Sequence, residues 1–295
     1  MRSFRVKNIK VNYQNLIVFT VEALIFAAVI FVFAFAGKKK LFPRIDEDKT
    51  QILFLGDSNF ANDFGEGALP NKFGDRYEDI VTYDGSMGGS SAANLNTEHK
   101  PDSYSECFCL HSISKMMETD DFSYLTDDPE LLKSRTGGEV KFRTLPRIDF
   151  GKMDYVILNF GMNDYLQGVP AVGDDEYSYS YAMKKSIERI HKACPNAKII
   201  ACSVTFYYYI DSQTEEVVSG NEYSFKNGNL LYEYRDALKD VCEDFDYVVF
   251  VDSLEELGID ESNCLELMDD NVHLNSEGQD MYVELIHDAL KREKE

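Results

Sequence analysis

Five short apolar runs, far apart in the chain and almost free of charge, set the tightest limit on the fold. They are Gln51–Leu55 (QILFL), Ile80–Tyr83 (IVTY), Tyr155–Phe160 (YVILNF), Lys198–Val204 (KIIACSV) and Tyr247–Val251 (YVVFV). Most are continuous rather than alternating, as expected of strands buried on both faces of a parallel sheet. Helical stripes lie between and after them. Met183, Ile187, Ile190 and Cys194 form one, Leu231, Leu238, Val241 and Phe245 a second, and Tyr282, Leu285, Ile286, Ala289 and Leu290 a third. Ser276, three residues before Gln279, has capping-box spacing at the start of the last helix. Alternating strands and helices predict an α/β fold over residues 51–293: three layers, α/β/α, around a five-stranded mainly parallel sheet. Such sheets carry their functional residues on loops at the carboxyl ends of the strands.

Three stretches fit this pattern less well. Residues 92–150 contain no clear strand and read as a long excursion with short helices. Residues 211–229, with turn signals at Ser219-Gly220-Asn221 and Asn227-Gly228-Asn229, suggest a hairpin-like insertion. The run Tyr207-Tyr208-Tyr209 either lines a site or covers the sheet edge.

The amino-terminal part obeys different physics. Leu16–Ala36 is apolar apart from Glu22, and 21 helical residues rise about 31 Å, the thickness of a bilayer's hydrocarbon core. Arg2, Arg5, Lys7 and Lys10 precede it; Lys38, Lys39, Lys40 and Arg44 follow. The expected organisation is a basic segment 1–14, a transmembrane signal anchor 15–37, a linker 38–50 and the α/β domain. Ala34-Phe35-Ala36 resembles a signal-peptidase site, but the run is long for a cleaved signal, so an uncleaved anchor is the favoured reading. A short basic amino terminus favours an N-in orientation, with the domain outside the cytoplasm.

Of the 52 Asp+Glu and 30 Lys+Arg, residues 1–44 hold one acid and eight bases, leaving 51 acids and 22 bases, about −29, for the remainder. A polyanionic body of this kind disfavours nucleic-acid binding and tight docking on anionic headgroups. The six cysteines spell out no disulfide framework. His99, His111, His191 and His287 share no metal-ligand spacing with another His or Cys, so no metal site is legible.

Four motifs follow the strand runs. Gly56-Asp57-Ser58 places a hydroxyl at a strand-to-helix turn, although alone it is ordinary turn chemistry. Gly85-Ser86-Met87-Gly88-Gly89-Ser90-Ser91 is a loop whose glycines allow close backbone approach. In Gly161-Met162-Asn163-Asp164, an Asn amide at a strand end can donate to an oxyanion or simply cap a helix. In Asp270-Asn271-Val272-His273, a carboxylate three residues before a histidine can hold one ring nitrogen while the other accepts a proton.

In this order the four motifs closely resemble the conserved blocks of the SGNH (GDSL-like) hydrolase family, with the resemblance spanning residues 51–290. It implies a flavodoxin-like SGNH hydrolase fold and a serine esterase chemistry that needs no cofactor. By the same resemblance Ser58 is the nucleophile, His273 the general base and Asp270 its orienting carboxylate. The oxyanion hole comprises the backbone N–H groups of Ser58 and Gly88 and the side-chain amide of Asn163. Gly88 is preferred over Gly89 because Ser90-Ser91 then falls in register. Asp57 and Asp164 are expected to be structural acceptors for loop N–H groups. The expected function is hydrolysis of an acyl ester, O-acetyl or short-chain, of a glycan or lipid at the cell surface. The alternatives are an O-acyltransferase for a surface polysaccharide and a non-catalytic glycan-binding protein on the same scaffold.

Overall fold

The computed structural model describes residues 45–61, 67–95, 108–123, 144–224 and 226–294. The expected basic segment and transmembrane anchor, 1–14 and 15–37, lie outside them, as does most of the linker. Among the described residues, no helix is long and apolar enough to cross a membrane.

Five strands form one sheet: β1 (Thr50–Gly56), β2 (Ile80–Asp84), β3 (Tyr155–Asn159), β4 (Lys198–Cys202) and, after a small hairpin, β7 (Val248–Val251). Their order is β2-β1-β3-β4-β7, and all four pairings are parallel. All five residues of β3 are buried, which explains why its sequence never alternates. Side chains along the strands serve two separate apolar layers. Leu53, Leu55, Val156, Leu158, Ile199 and Ala201 face one cluster, while Ile52, Phe54, Ile157, Ile200 and Cys202 face the other.

Helices cover both layers. On the first lie α3 (Leu110–Thr119), α5 (Tyr179–Ala193) and α6 (Leu231–Cys242), through residues such as Ile113, Met183, Ile187 and Leu238. On the second lie α2 (Leu69–Arg76), α8 (Cys264–Leu267) and α9 (Ser276–Lys294), through Leu69, Phe73, Tyr282 and Ile286. The remaining short helices, α1 (Ser58–Ala61), α4 (Met162–Gln167) and α7 (Ser253–Glu256), each begin just after a sheet strand ends. The expected three-layer α/β/α arrangement is therefore present, and its sheet is parallel throughout.

Details of the sequence reading change in three places. Phe245 lies beyond the end of α6. The last helix is capped one residue earlier than expected: Asn275 Oδ1 accepts from the N–H groups of Glu277 and Gly278, and Ser276 is the first helical residue. The hairpin also begins earlier than residue 211. Its strands are β5 (Tyr208–Ile210) and β6 (Val217–Ser219), antiparallel, so two of the three consecutive tyrosines form its first strand. In the 92–150 excursion, the described part holds α3 and two 3-10 turns, Leu145–Arg147 and Phe150–Lys152.

Candidate active site

The parallel register brings the ends of the central strands level, with Gly56 opposite Asn159 and Asn159 opposite Cys202. Chain direction across the sheet reverses at β1 and β3, the position where open α/β sheets form a crevice. Ser58 and Asn163 emerge there.

Ser58 is the first residue of α1 and only 7% exposed. Asp57 builds its turn: the backbone oxygen accepts from the N–H groups of Phe60 and Ala61, and Oδ1 accepts from Asn59 N–H at 2.9 Å. The Asp57 N–H donates to Asn159 O, tying the turn to β3. A helix start leaves its first N–H groups without intrahelical acceptors, so the Ser58 amide is placed to serve an incoming oxygen.

His273 arrives from the other end of the domain. Its Nε2 lies 2.9 Å from Ser58 Oγ, and its Nδ1 lies 2.8 Å from Asp270 Oδ2. The other oxygen of Asp270 accepts from the N–H groups of Val272 and His273, each at 2.8 Å. The loop is closed behind them by the Met268–Leu274 bridge and by Asp269 N–H donating to His273 O. Partial burial acts to raise the Asp270 pKa, but the bonds from the imidazole and the two backbone N–H groups outweigh it and hold the carboxyl below its ordinary value. An ionised Asp270 fixes the imidazole with its proton on Nδ1, which leaves Nε2 to accept from the serine.

Asn163 lies in α4, whose entry is made possible by Gly161 at φ +123°, where an added Cβ would lie 2.7 Å from Val204. The Asn163 amide donates to Ser90 O at 3.0 Å and to Asp57 Oδ2 at 3.4 Å. It thus joins the glycine loop to the Ser58 turn. In that loop Ser90 N–H donates to Met87 O, closing a turn with buried Gly88 and exposed Gly89 at its centre; Gly89 has φ +72°.

Two buried carboxyls flank Asn163. Burial pushes Asp57 up to about 7, against the Asn59 N–H bond and the nearby His273. Asp164 accepts from the N–H groups of Ala92 and Ala93, yet burial pushes it up to about 6. Both are acceptors for backbone N–H groups, as the sequence suggested. The bond from Asn163 to Asp57, which joins two of the four motifs, had no sequence signal.

The other ionisable groups stand apart from this constellation. His111 lies against Arg189 and Glu176, while His191 and His287 stack on Tyr247 and Tyr77; His99 lies outside the described residues. Burial pushes the Cys202 thiol, at the end of β4, up to about 12, far from nucleophilic thiolate behaviour. Among the described residues, no cluster of His, Cys, Asp and Glu is arranged to hold a metal ion.

No curated protein matches the chain in sequence. Solved structures share its fold. A Lactobacillus plantarum protein aligns with TM-score 0.56 at 14% identity, covering 83% of this chain and 98% of that one. A protein described as a possible lipase from Chitinophaga pinensis aligns with TM-score 0.53 at 12% identity, covering 83% and 98%. The model of the GDSL-like Lipase/Acylhydrolase family matches residues 127–281, a span that holds Asn163, Asp270 and His273. On that match the chain belongs to the GDSL-like lipase/acylhydrolase family, whose description is that of acyl ester hydrolases.

Proposed function

We propose that the protein is a serine esterase that removes an O-acyl group, acetyl or short-chain, from a glycan or lipid at the cell surface. The observation that carries this reading is the unbroken relay of hydrogen bonds from Asp270 through His273 to Ser58, at 2.8 and 2.9 Å. In the proposed reaction His273 Nε2 takes the Ser58 proton as Oγ attacks the ester carbonyl, and Asp270 balances the imidazolium that forms. The oxyanion is held by the N–H groups of Ser58 and Gly88 and by the Asn163 amide, which must turn from its present acceptors to reach it. The imidazolium then protonates the departing alkoxide, leaving an acyl-serine. Water then gives its proton to the same imidazole and attacks the acyl-serine; the Oγ–acyl bond breaks, the carboxylic acid leaves, and the imidazolium returns the proton to Ser58 Oγ.

The surface location rests on sequence. Residues 15–37 serve as an uncleaved anchor in this reading, with 38–50 spacing an acidic catalytic domain from the anionic bilayer outside the cytoplasm.

The test is covalent. A fluorophosphonate probe should label the full-length chain in detergent at Ser58, located by peptide mass spectrometry. Hydrolysis of p-nitrophenyl acetate should fall in proportion as the label accumulates, and both labelling and hydrolysis should be absent in Ser58→Ala. A probe that attaches elsewhere, with turnover intact, ends the proposal.

A further inference from the structure

We infer that Asp57 is a positioning residue whose second carboxyl oxygen sets the orientation of the Asn163 side chain, turning its amide nitrogen rather than its oxygen toward the Ser58 turn. The inference rests on the triad reading above and on Asn163 as a donor to the oxyanion.

A planar side-chain amide fills nearly the same volume with its two ends exchanged, and only the nitrogen end can donate to an oxyanion. The surroundings must therefore choose the end. Two acceptors do so: Ser90 O at 3.0 Å and Asp57 Oδ2 at 3.4 Å both accept from Asn163 Nδ2. Reversed, the side chain would bring its own oxygen against those two oxygens. Each acceptor belongs to a segment that supplies another donor of the proposed hole. Asp57 precedes Ser58, and Ser90 is two residues beyond Gly88. The nitrogen is thus oriented before any substrate arrives, beside the segments of the two backbone N–H groups with which it would act. The bond to Asp57 is the longer, hence the weaker of the two and the easier to exchange for an oxyanion.

The turn alone does not require this carboxyl. Asp57 Oδ1 accepts from Asn59 N–H at 2.9 Å, a task that Ser or Asn performs about as well at the start of a helix. Asp57 is 1% exposed, and burial pushes its carboxyl up to about 7, a cost that an uncharged cap would avoid. What distinguishes the carboxyl is the second oxygen, which accepts from Asn163 while the first serves the turn. The neighbouring buried carboxyl, Asp164, gives its two oxygens to the N–H groups of Ala92 and Ala93, which leaves Asp57 to orient the amide.

Two variants keep the turn acceptor and remove the second oxygen. Asp57→Asn, with its oxygen on Asn59, turns an NH2 group toward Asn163 Nδ2, and the shorter Asp57→Ser serves Asn59 alone. In the full-length chain each should lower kcat for p-nitrophenyl acetate by about ten- to a hundredfold with KM unchanged. The loss should be smaller than in Asn163→Ala, because the amide is misoriented rather than removed. A boronic acid that forms a tetrahedral adduct on Ser58 should bind each variant more weakly by the same factor, which reads the oxyanion contact without turnover. In the Asn163→Ala background neither substitution should lower kcat further, since Asp57 acts only through that amide.

Parent-like kcat in either folded variant would overturn the inference. So would losses that multiply with that of Asn163→Ala, which would instead assign Asp57 a direct charge effect on His273. A change confined to KM or to melting temperature, or failure of both variants to fold, would make the carboxyl a structural element and overturn the inference too. Turnover that depends on Ser58 and Asn163 but is indifferent to Asp57 removes this inference alone. Turnover that survives Ser58→Ala removes the triad reading, and the role of Asp57 with it.

Discussion

The two edges of the sheet carry ionisable groups in very different settings. At the amino edge, Glu47, Lys49, Asp154 and Lys198 line an open polar cleft of about 460 Å³. Its ion pairs, Lys152–Glu47 at 3.2 Å and Lys198–Glu293 at 2.9 Å, involve side chains in contact with solvent. At the carboxyl edge the carboxyls of Asp57 and Asp164 are buried and pushed up to about 7 and about 6. Ser58 and His273 converge there within hydrogen-bond reach. Water screens one edge and is excluded from much of the other. Under the proposed function, reactivity on this scaffold follows burial and convergence rather than the number of charged groups.

That contrast can be broken at several strengths. Ser58→Ala should have the largest effect, lowering kcat for p-nitrophenyl acetate by roughly 10⁴- to 10⁶-fold. A loss under tenfold would place the chemistry elsewhere. Asp270→Asn should follow, with a loss of up to roughly 10⁴-fold, because an amide cannot hold the imidazole tautomer that the carboxylate selects. Asn163→Ala should cost about 10²- to 10³-fold in kcat with little change in KM. A change confined to KM would instead make Asn163 a substrate contact.

A further test concerns pH and stability. The folded-state value of Asp57, about 7, lies above its ordinary 3.8, so between these values the folded protein holds a proton that the unfolded chain has released. Stability from this group is greatest at the acidic end of that window and declines as pH rises to about 7, by on the order of 4 kcal/mol. Asp164 acts in the same direction up to about 6. Asp270, shifted downward, acts oppositely, but its side chain is 43% exposed and its share is smaller. Urea midpoints should therefore fall between about pH 5 and pH 8, and Asp57→Asn should flatten the decline. A midpoint that climbs across this range in the parent chain contradicts the burial argument.

The smallest effect belongs to the amino edge. Glu293→Gln, which breaks the pair with Lys198, should change unfolding free energy by less than about 1 kcal/mol and leave turnover intact. A large loss of activity there would erase the distinction between the edges.

The sheet was legible because burial on both faces forces continuous apolar runs, and β1 and β3 are almost wholly buried. Three of the motifs were legible because each follows a strand whose end the apolar run marks; the fourth, Asp270–His273, lies beyond α7 and α8 and was read from its own spacing. The hairpin was misplaced because its turn carries no glycine or Asn-Gly signal. Asp211 instead accepts from the N–H groups of Gln213 and Thr214, and Glu215 takes a positive φ of 60°. The helix cap moved by one residue because Asn275 and Ser276 are both good caps and only the chain path chooses between them. Long-range bonds such as Asn163 to Ser90 and Tyr208 N–H to Asn271 O depend on tertiary placement and leave no periodic trace in the sequence.

Ser58 follows the first strand of the sheet, whereas His273 lies after its last, 215 residues later. A ribosome making this protein therefore completes the hydroxyl's turn long before the imidazole exists, and under the proposed function a nascent or carboxy-terminally clipped chain would be inert toward acyl groups. Onset of hydrolysis should coincide with the final stage of maturation, which makes turnover itself a reporter of complete synthesis.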